Sequence, residues 1–507
     1  MALKKLPFFI ILFAVYPSLA LFGWNFREVD ANIIFRPLIF SVLLALIFSL
    51  LCSRLIGNWS RASLMATAFL LIFFSYGHVS IFFEESGLYE SIGSATSLVN
   101  IFLPTLALLA AFLLSRFLLK TKKDIVQIYP ILNTMSAFLV LSSSFIIAGK
   151  YDQQQAAPAR QEQKSSQDSS SPDVYYIILD AYGRQDALTA LGYDNSTFIK
   201  ELEDMGFYVA SCSRSNYPQT VMSLASSLNM GYLWDVIRNQ GANDRDSEPV
   251  YASILHSQVR QEFEERGYEI VAFDSGVQWL NWRDSDRFVA PESEPFFSTH
   301  LKPFEYIFLD TTALHPMMTQ PFFLRSKYFY NYNLILFALD KLPEIAQMEG
   351  PKFIYVHMLI PHRPNIFLPD GSMNLDTDYY KKGVGEGINR QYDIEGYINN
   401  TKFINSRMPD VIHQIIKLSK TPPIIIIQGD HGYQLPDIRF DNLNAYYFPN
   451  GNYSDLYPTI TPVNTFRIVL NNYFDGNYPL LKDQSINVGI NRPFGKKIMK
   501  PNPAKCS

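Results

Sequence analysis

Long apolar runs crowd the first 148 residues and then stop. They occupy about 6–25, 34–56, 61–83, 99–119 and 128–148, and each approaches or reaches the roughly 20 residues that cross a bilayer. A buried helical domain of a soluble protein would need polar faces to wet, and five such runs in succession leave almost none. The first run has a signal-peptide outline, with Lys4 and Lys5 before it and "SLA" at 18–20. The runs that follow favour a retained span. The pattern therefore predicts five transmembrane helices over 1–148.

Charge orients them. Lys4, Lys5, Arg54, Arg61, Arg116, Lys120, Lys122 and Lys123 flank one set of ends, whereas Arg27, Glu28, Asp30, Glu84, Glu85 and Glu90 fill the intervening loops. The positive-inside rule places the N-terminus in the cytoplasm and everything after the fifth span outside. His78 and Cys52 fall within spans. No chain of ionisable partners accompanies them, so they read as packing residues rather than an ion pathway.

Residues 149–172, "GKYDQQQAAPARQEQKSSQDSSSP", have no apolar period and read as a flexible tether. From Asp173 to 507 the pattern changes to short apolar runs separated by helical stretches such as 196–206, 254–266 and 398–419. "VYYIIL" (174–179) runs into Asp180, "EIVAF" (269–273) into Asp274, "FIYV" (353–356) into His357, and "IIII" (424–427) into "QGDHG". Strands apolar on both faces predict a mostly parallel sheet flanked by helices, an α/β domain. In such sheets ligands gather beyond the carboxyl ends of the strands.

Composition narrows the classes. The net charge of −4 comes without a basic block, so nothing electrostatic recommends a nucleic-acid partner. Three cysteines are too few for a disulfide framework, and a Cys212–Cys506 pair outside the cell is left open.

The strand tips carry the candidate chemistry. Asp430 and His431, adjacent at one tip, suit a divalent cation, zinc or manganese. The bland reading of "DHG" is a turn, with Asp capping a helix and Gly supplying a positive φ. Thr220, after Pro218 and before an apolar helical run, reads as an N-cap. It reads equally as a nucleophile at a helix N-terminus, where the dipole lowers the cost of an alkoxide.

Taken together, "YYIILDAYGR" (175–184), "NYPQTVMSLASSLN" (216–229), "HMLIPHRP" (357–364) and "IIIIQGDHG" (424–432) resemble the alkaline phosphatase superfamily. The resemblance is to its sulfatase-like branch, which includes membrane-anchored phosphoethanolamine and phosphoglycerol (lipoteichoic-acid-type) transferases. It covers about 173–475, and the five-span anchor is similar too. It implies Asp180, Thr220, Asp430 and His431 as metal ligands and Thr220 as nucleophile. His362 is implied as the histidine that contacts the transferred group. The implied cofactor is one divalent ion, zinc or manganese, with magnesium admitted.

Departures from that pattern limit the activity. Thr220-Val221-Met222-Ser223-Leu224 stands where sulfatases carry C/S-x-P-S-R, and Ala181 follows Asp180 where they use tandem aspartates. Formylglycine sulfate hydrolysis is thereby disfavoured. No histidine follows His431, which favours one metal over two. The expected substrate is a membrane lipid or envelope phosphate ester, with a glycan or lipid as acceptor.

Weaker candidates remain. His357 either satisfies a backbone carbonyl or contacts the substrate. Trp282 and Arg283 in "VQWLNWRDSDR" (277–287) are assigned to substrate binding, against a loop that packs on its own domain. The aromatic, turn-rich stretch 444–467 resembles the segment that walls the site in members of that branch and is assigned no chemistry, and Asn-x-Ser/Thr triplets at Asn195, Asn399 and Asn452 carry little weight. The alternatives to a transferase are a phosphoesterase or sulfatase-like hydrolase using water, and an inactive binding or scaffold protein of the same fold.

Overall fold

The computed structural model describes residues 6–85, 96–121, 125–155, 171–238, 248–292, 300–376, 379, 390–489 and 498–499. Most of the expected tether, the loop charges Glu90, Lys122 and Lys123, and Cys506 lie outside the described residues. Cys212 is buried. The chain divides into two compact units, Met1–Ala156 with Glu294–Tyr330, and Ala157–Ser293 with Asn331–Ser507.

In the first unit the apolar runs form helices α1 (Phe9–Trp24), α2 (Phe35–Ile56), α3 (Trp59–Glu85), α4 (Thr96–Lys120) and α5 (Tyr129–Gln155). Four segments of α2 to α5 are long and apolar enough to cross a membrane. The first is not: α1 has 16 residues, about 24 Å against a hydrocarbon core of about 30 Å. Among the described residues, the five expected spans are thus four helices of crossing length and one shorter apolar helix.

The boundary also differs from the expectation. Glu294–Tyr330, read from sequence as part of the outer domain, is grouped with these helices. The reason is apolar burial, since Phe304 packs against Phe22 and Phe308 against Phe40 and Phe74.

The second unit is built on a seven-stranded sheet of β1 (Val174–Leu179), β2 (Tyr208–Val209), β3 (Glu269–Phe273), β4 (Arg287–Val289), β5 (Lys352–Met358), β6 (Ile424–Gln428) and β7 (Asn444–Tyr447). The spatial order is β2-β7-β6-β1-β5-β3-β4, parallel from β6 to β4 and antiparallel at β7 and β2. The mostly parallel α/β expectation is what the chain adopts. Strands buried on both faces leave no wet side, which is why their sequences read as unbroken apolar runs.

Side-chain alternation decides where the chemistry goes. Val174, Tyr176 and Ile178 of β1, Phe353 and Tyr355 of β5, and Ile424 and Ile426 of β6 share one core cluster with Met222, Ala225 and Leu228 of helix α6 (Thr220–Leu228). Counting on by twos reaches Asp180, His357 and Asp430. The three central strands thus deliver three ionisable side chains to the face that α6 covers. On the other face Val356 and Met358 meet Leu334, Ile335 and Ala338 around a small cavity.

Candidate metal centre and nucleophile

Asp180, His357 and Asp430 each present a ligand atom, all within 4.8 Å of one another and all buried. His357 Nε2 is 3.6 Å from Asp180 Oδ2. His431 Nε2 joins them, 3.8 Å from Asp180 Oδ1 and 3.7 Å from Asp430 Oδ2. Thr220 completes the group, its Oγ1 lying 3.4 Å from His431 Nε2.

Backbone contacts hold this geometry. Asp180 N–H donates to Met358 O, and His362 N–H donates to Asp180 O, both at 3.0 Å. Ala181 N–H donates to Asp430 Oδ1 at 2.8 Å, from a residue at φ 61°. Ser223 Oγ donates to the Asp430 carbonyl at 2.6 Å, tying the first turn of α6 to the tip of β6. Gly432 has no positive φ. Its constraint is space, because a Cβ there would lie 2.4 Å from Ile438 O and 2.5 Å from Asp441 O. The bland reading of "DHG" therefore fails on both counts: Asp430 caps no helix, and the glycine serves close approach.

Two buried carboxylates this close are electrostatically expensive. Burial, then the Asp430 charge, raises the pKa of Asp180 well above the ordinary range. Burial pulls Asp430 upward as well, yet His431, His357 and the Ala181 N–H hold it below the ordinary value. Burial pushes His357 down to about 4, so at neutral pH its ring is uncharged and has a lone pair to offer. Asp180 Oδ1, Asp430 Oδ2 and both ring nitrogens of His357 are buried without a hydrogen-bond partner. Such orphaned atoms carry a large desolvation cost. Converging as they do, they fit a divalent cation, and an all-oxygen-and-imidazole set matches zinc or manganese.

His357 was expected to satisfy a carbonyl or touch substrate. Its ring nitrogens bond no backbone carbonyl, and the ring sits among the carboxylates. Strand alternation was the signal that would have found it. Thr220 is the first residue of α6, and the capping position belongs to Gln219, so the N-cap reading is overturned.

The two remaining histidines differ in what they leave open. His431 Nδ1–H donates to the Gly432 carbonyl at 2.7 Å, which leaves Nε2 a lone pair facing Thr220 and the carboxylates. His362 Nδ1–H donates to the Arg363 carbonyl at 2.5 Å, and its Nε2 accepts from Gln434 Nε2 at 3.0 Å. Its ring centre is 6.2 Å from that of His431. Burial lowers its pKa, so the neutral ring presents an acceptor.

Trp282 and Arg283 are not at the site. Trp282 is fully buried, stacked at 4.2 Å on Tyr355 and flanked by Arg260, so no face is open to a substrate. Arg283 lies over Phe288, where the chain is returning toward the amino end of β3 and Asp286 accepts from Ile270 N–H. The stretch 444–467 braces the end of β6: Asn444 and Thr465 accept from Gln428, whose Oε1 accepts from Tyr176.

No family model matches the chain, and no curated protein matches it either. Solved structures similar to it include the C-terminal periplasmic domain of EcEptC from Escherichia coli in complex with Zn, at 12% identity and a TM-score of 0.42, covering 69% of this chain and 99% of that one. The integral membrane protein lipooligosaccharide phosphoethanolamine transferase A from Neisseria meningitidis is similar at 12% identity and a TM-score of 0.40, covering 92% and 95%. BT1596, a 2-O GAG sulfatase, is similar at 15% and 0.39, covering 66% and 76%.

Proposed function

We propose that this chain is a membrane-anchored, metal-dependent phosphoryl-ester transferase that uses Thr220 as nucleophile. The observation that carries the reading is the Thr220 hydroxyl standing beside His431 at the rim where the orphaned atoms of Asp180, His357 and Asp430 converge. Residues 1–148 serve as the anchor, with all five apolar helices crossing and the shorter α1 accommodated by local thinning of the bilayer; the N-terminus is then cytoplasmic, 149–172 the tether, and the α/β unit the outer catalytic part.

Asp180, His357, Asp430 and His431 would hold one divalent ion. Such an ion supplies positive charge that favours a threonine alkoxide and offsets charge on phosphoryl oxygens. Thr220 Oγ attacks phosphorus in line, and a phosphothreonine ester forms as the leaving oxygen departs. His362 Nε2, once Gln434 gives up its contact there, takes the proton released from Thr220 and returns it as imidazolium to the leaving oxygen. In the second half an acceptor hydroxyl loses its proton to His362 and displaces Thr220, whose oxygen takes that proton back from the imidazolium. The donor is a lipid phosphodiester head group and the acceptor an envelope glycan or lipid.

The test is labelled phosphatidylethanolamine or phosphatidylglycerol presented to the full chain in a bilayer. Diacylglycerol release with a head-group adduct on Thr220 is expected by mass spectrometry. Intact lipid alongside turnover of a soluble phosphate ester would replace the transferase with a water-using hydrolase. Neither activity would leave the inactive scaffold reading.

A further inference from the structure

Helix α3 runs unbroken from Trp59 to Glu85. Between its charges at Arg61 and Glu84 it measures about 34 Å, close to the hydrocarbon thickness of about 30 Å. Gly77 lies seven residues before Glu84, about 10 Å inside that end. Yet the atoms nearest a Cβ at Gly77 belong to no crossing helix. A Cβ there would lie 2.2 Å from Asp310 O and 2.3 Å from Thr311 C, and Ala313 N–H donates to Phe73 O at 2.7 Å, one turn deeper. A segment distant in sequence touches α3 at a level where lipid would otherwise be.

That segment is built for an apolar surrounding. It consists of helix Pro303–Asp310, a turn, helix His315–Met318, and the start of helix Pro321–Ile345. Backbone at bilayer depth must satisfy its polar groups within protein. Here Thr311, Thr312, His315, Met317, Met318, Thr319 and Gln320 all donate their N–H groups to nearby carbonyls, and Leu314 N–H donates to Thr312 Oγ1. The hydroxyls of Thr311 and Thr312 are bonded to Phe308 O and Leu309 O, and Tyr306 to Met318 O. Its acidic groups are paired, Glu305 with Arg36 at 3.1 Å and Asp310 with His315 at 2.9 Å. Its exposed side chains are Pro316, Met317, Gln320, Pro321 and Phe322; Met317 is 50% exposed and Phe322 75%, and the one polar member, Gln320, gives its side-chain amide N–H to Pro316 O at 3.1 Å.

We infer that residues 303–324 form a re-entrant element seated in the leaflet nearer Glu84, with Met317 and Phe322 in contact with phospholipid acyl chains. The membrane-embedded part of the protein then includes a piece of chain from the middle of the α/β sequence. This rests on α3 being a membrane span and on nothing about catalysis.

The test uses the full chain in phosphatidylcholine nanodiscs, with Cys52, Cys212 and Cys506 replaced by serine. Nitroxide labels are placed one at a time through Met317→Cys, Phe322→Cys, the lipid control Phe112→Cys on α4, and the water control Asp370→Cys. At 317 and 322, as at 112, collisions with oxygen should exceed those with a water-soluble nickel chelate, and at 370 the order should reverse. If 317 and 322 behave like 370, the element lies in water and the inference fails. Turnover is not measured, so this outcome is independent of the transferase reading.

Discussion

The hydroxyl of Thr220 stands 3.4 Å from His431 Nε2, whose ring is fixed by the bond from Nδ1 to the Gly432 carbonyl. Threonine and imidazole are thus preset, with the nitrogen lone pair and not its hydrogen facing the hydroxyl. Thr220→Ala should abolish the covalent adduct and lower turnover by a factor on the order of 10³ or more. Thr220→Ser should restore the adduct, read by intact-protein mass spectrometry. An Ala variant that still turns over at a wild-type rate would exclude Thr220 as nucleophile.

Metal content follows from the cluster. Elemental analysis of dialysed protein should give one equivalent of a divalent ion. Asp430→Asn and His357→Ala should each weaken binding by more than the roughly 10- to 100-fold that loss of an outer hydrogen-bond partner costs. Two tightly held equivalents would mean a second ligand set.

Acid should destabilise the chelator-treated protein through His357. Its folded pKa, about 4, is below the unfolded value of about 6.5. Between these values the unfolded chain binds more protons, so stability rises with pH across that window and is lost as pH falls through it. The shift corresponds to about 3 kcal/mol. Urea midpoints at pH 4.5 and pH 7, compared with those of His357→Gln, measure this contribution. The variant should show a shallower dependence.

Trp282 should affect folding and not affinity. Stacked on Tyr355 and fully buried, its replacement by alanine should cost about 3–5 kcal/mol in denaturation experiments. Arg283→Ala, on the surface, should stay within about 0.5 kcal/mol. A large rise in KM for Arg283→Ala with unchanged stability would return it to the substrate site.

The topology reading makes its own forecast. A reporter fused after Ser171 should be active only outside the cytoplasm, because basic residues flank the opposite ends of the spans. Cytoplasmic activity would reverse the orientation.

Much of this was legible along the chain because burial on two faces writes unbroken apolar strands. Val174–Leu179, Glu269–Phe273 and Ile424–Gln428 match the runs expected there to within a residue. Asp180, Thr220, Asp430 and His431, singled out from separate motifs, are brought together. The failures share a cause. Tyr208–Val209, Arg287–Val289 and Asn444–Tyr447 are strands of two to four residues, too short to imprint a period, and they take their conformation from their neighbours. Trp282 misled because an aromatic among polar residues has the same local pattern whether it faces solvent or stacks on Tyr355. The grouping of Glu294–Tyr330 with the apolar helices depends on what Phe304 and Phe308 meet, and no window of sequence around them contains Phe22 or Phe74.

The residues proposed to hold the ion stand in or just past β1, β5 and β6, which are neighbours in the sheet and strangers in the chain. Asp180 leaves the ribosome long before Asp430. An ion therefore has nothing to hold it until the last of these strands has docked, and it cannot act as a seed around which the early chain folds. Acquisition is a late event, governed by whatever metal is present where the sheet finally closes. A chain cut short between residues 358 and 423 would carry Asp180 and His357 without Asp430 and His431 and should leave the compartment's metal untouched.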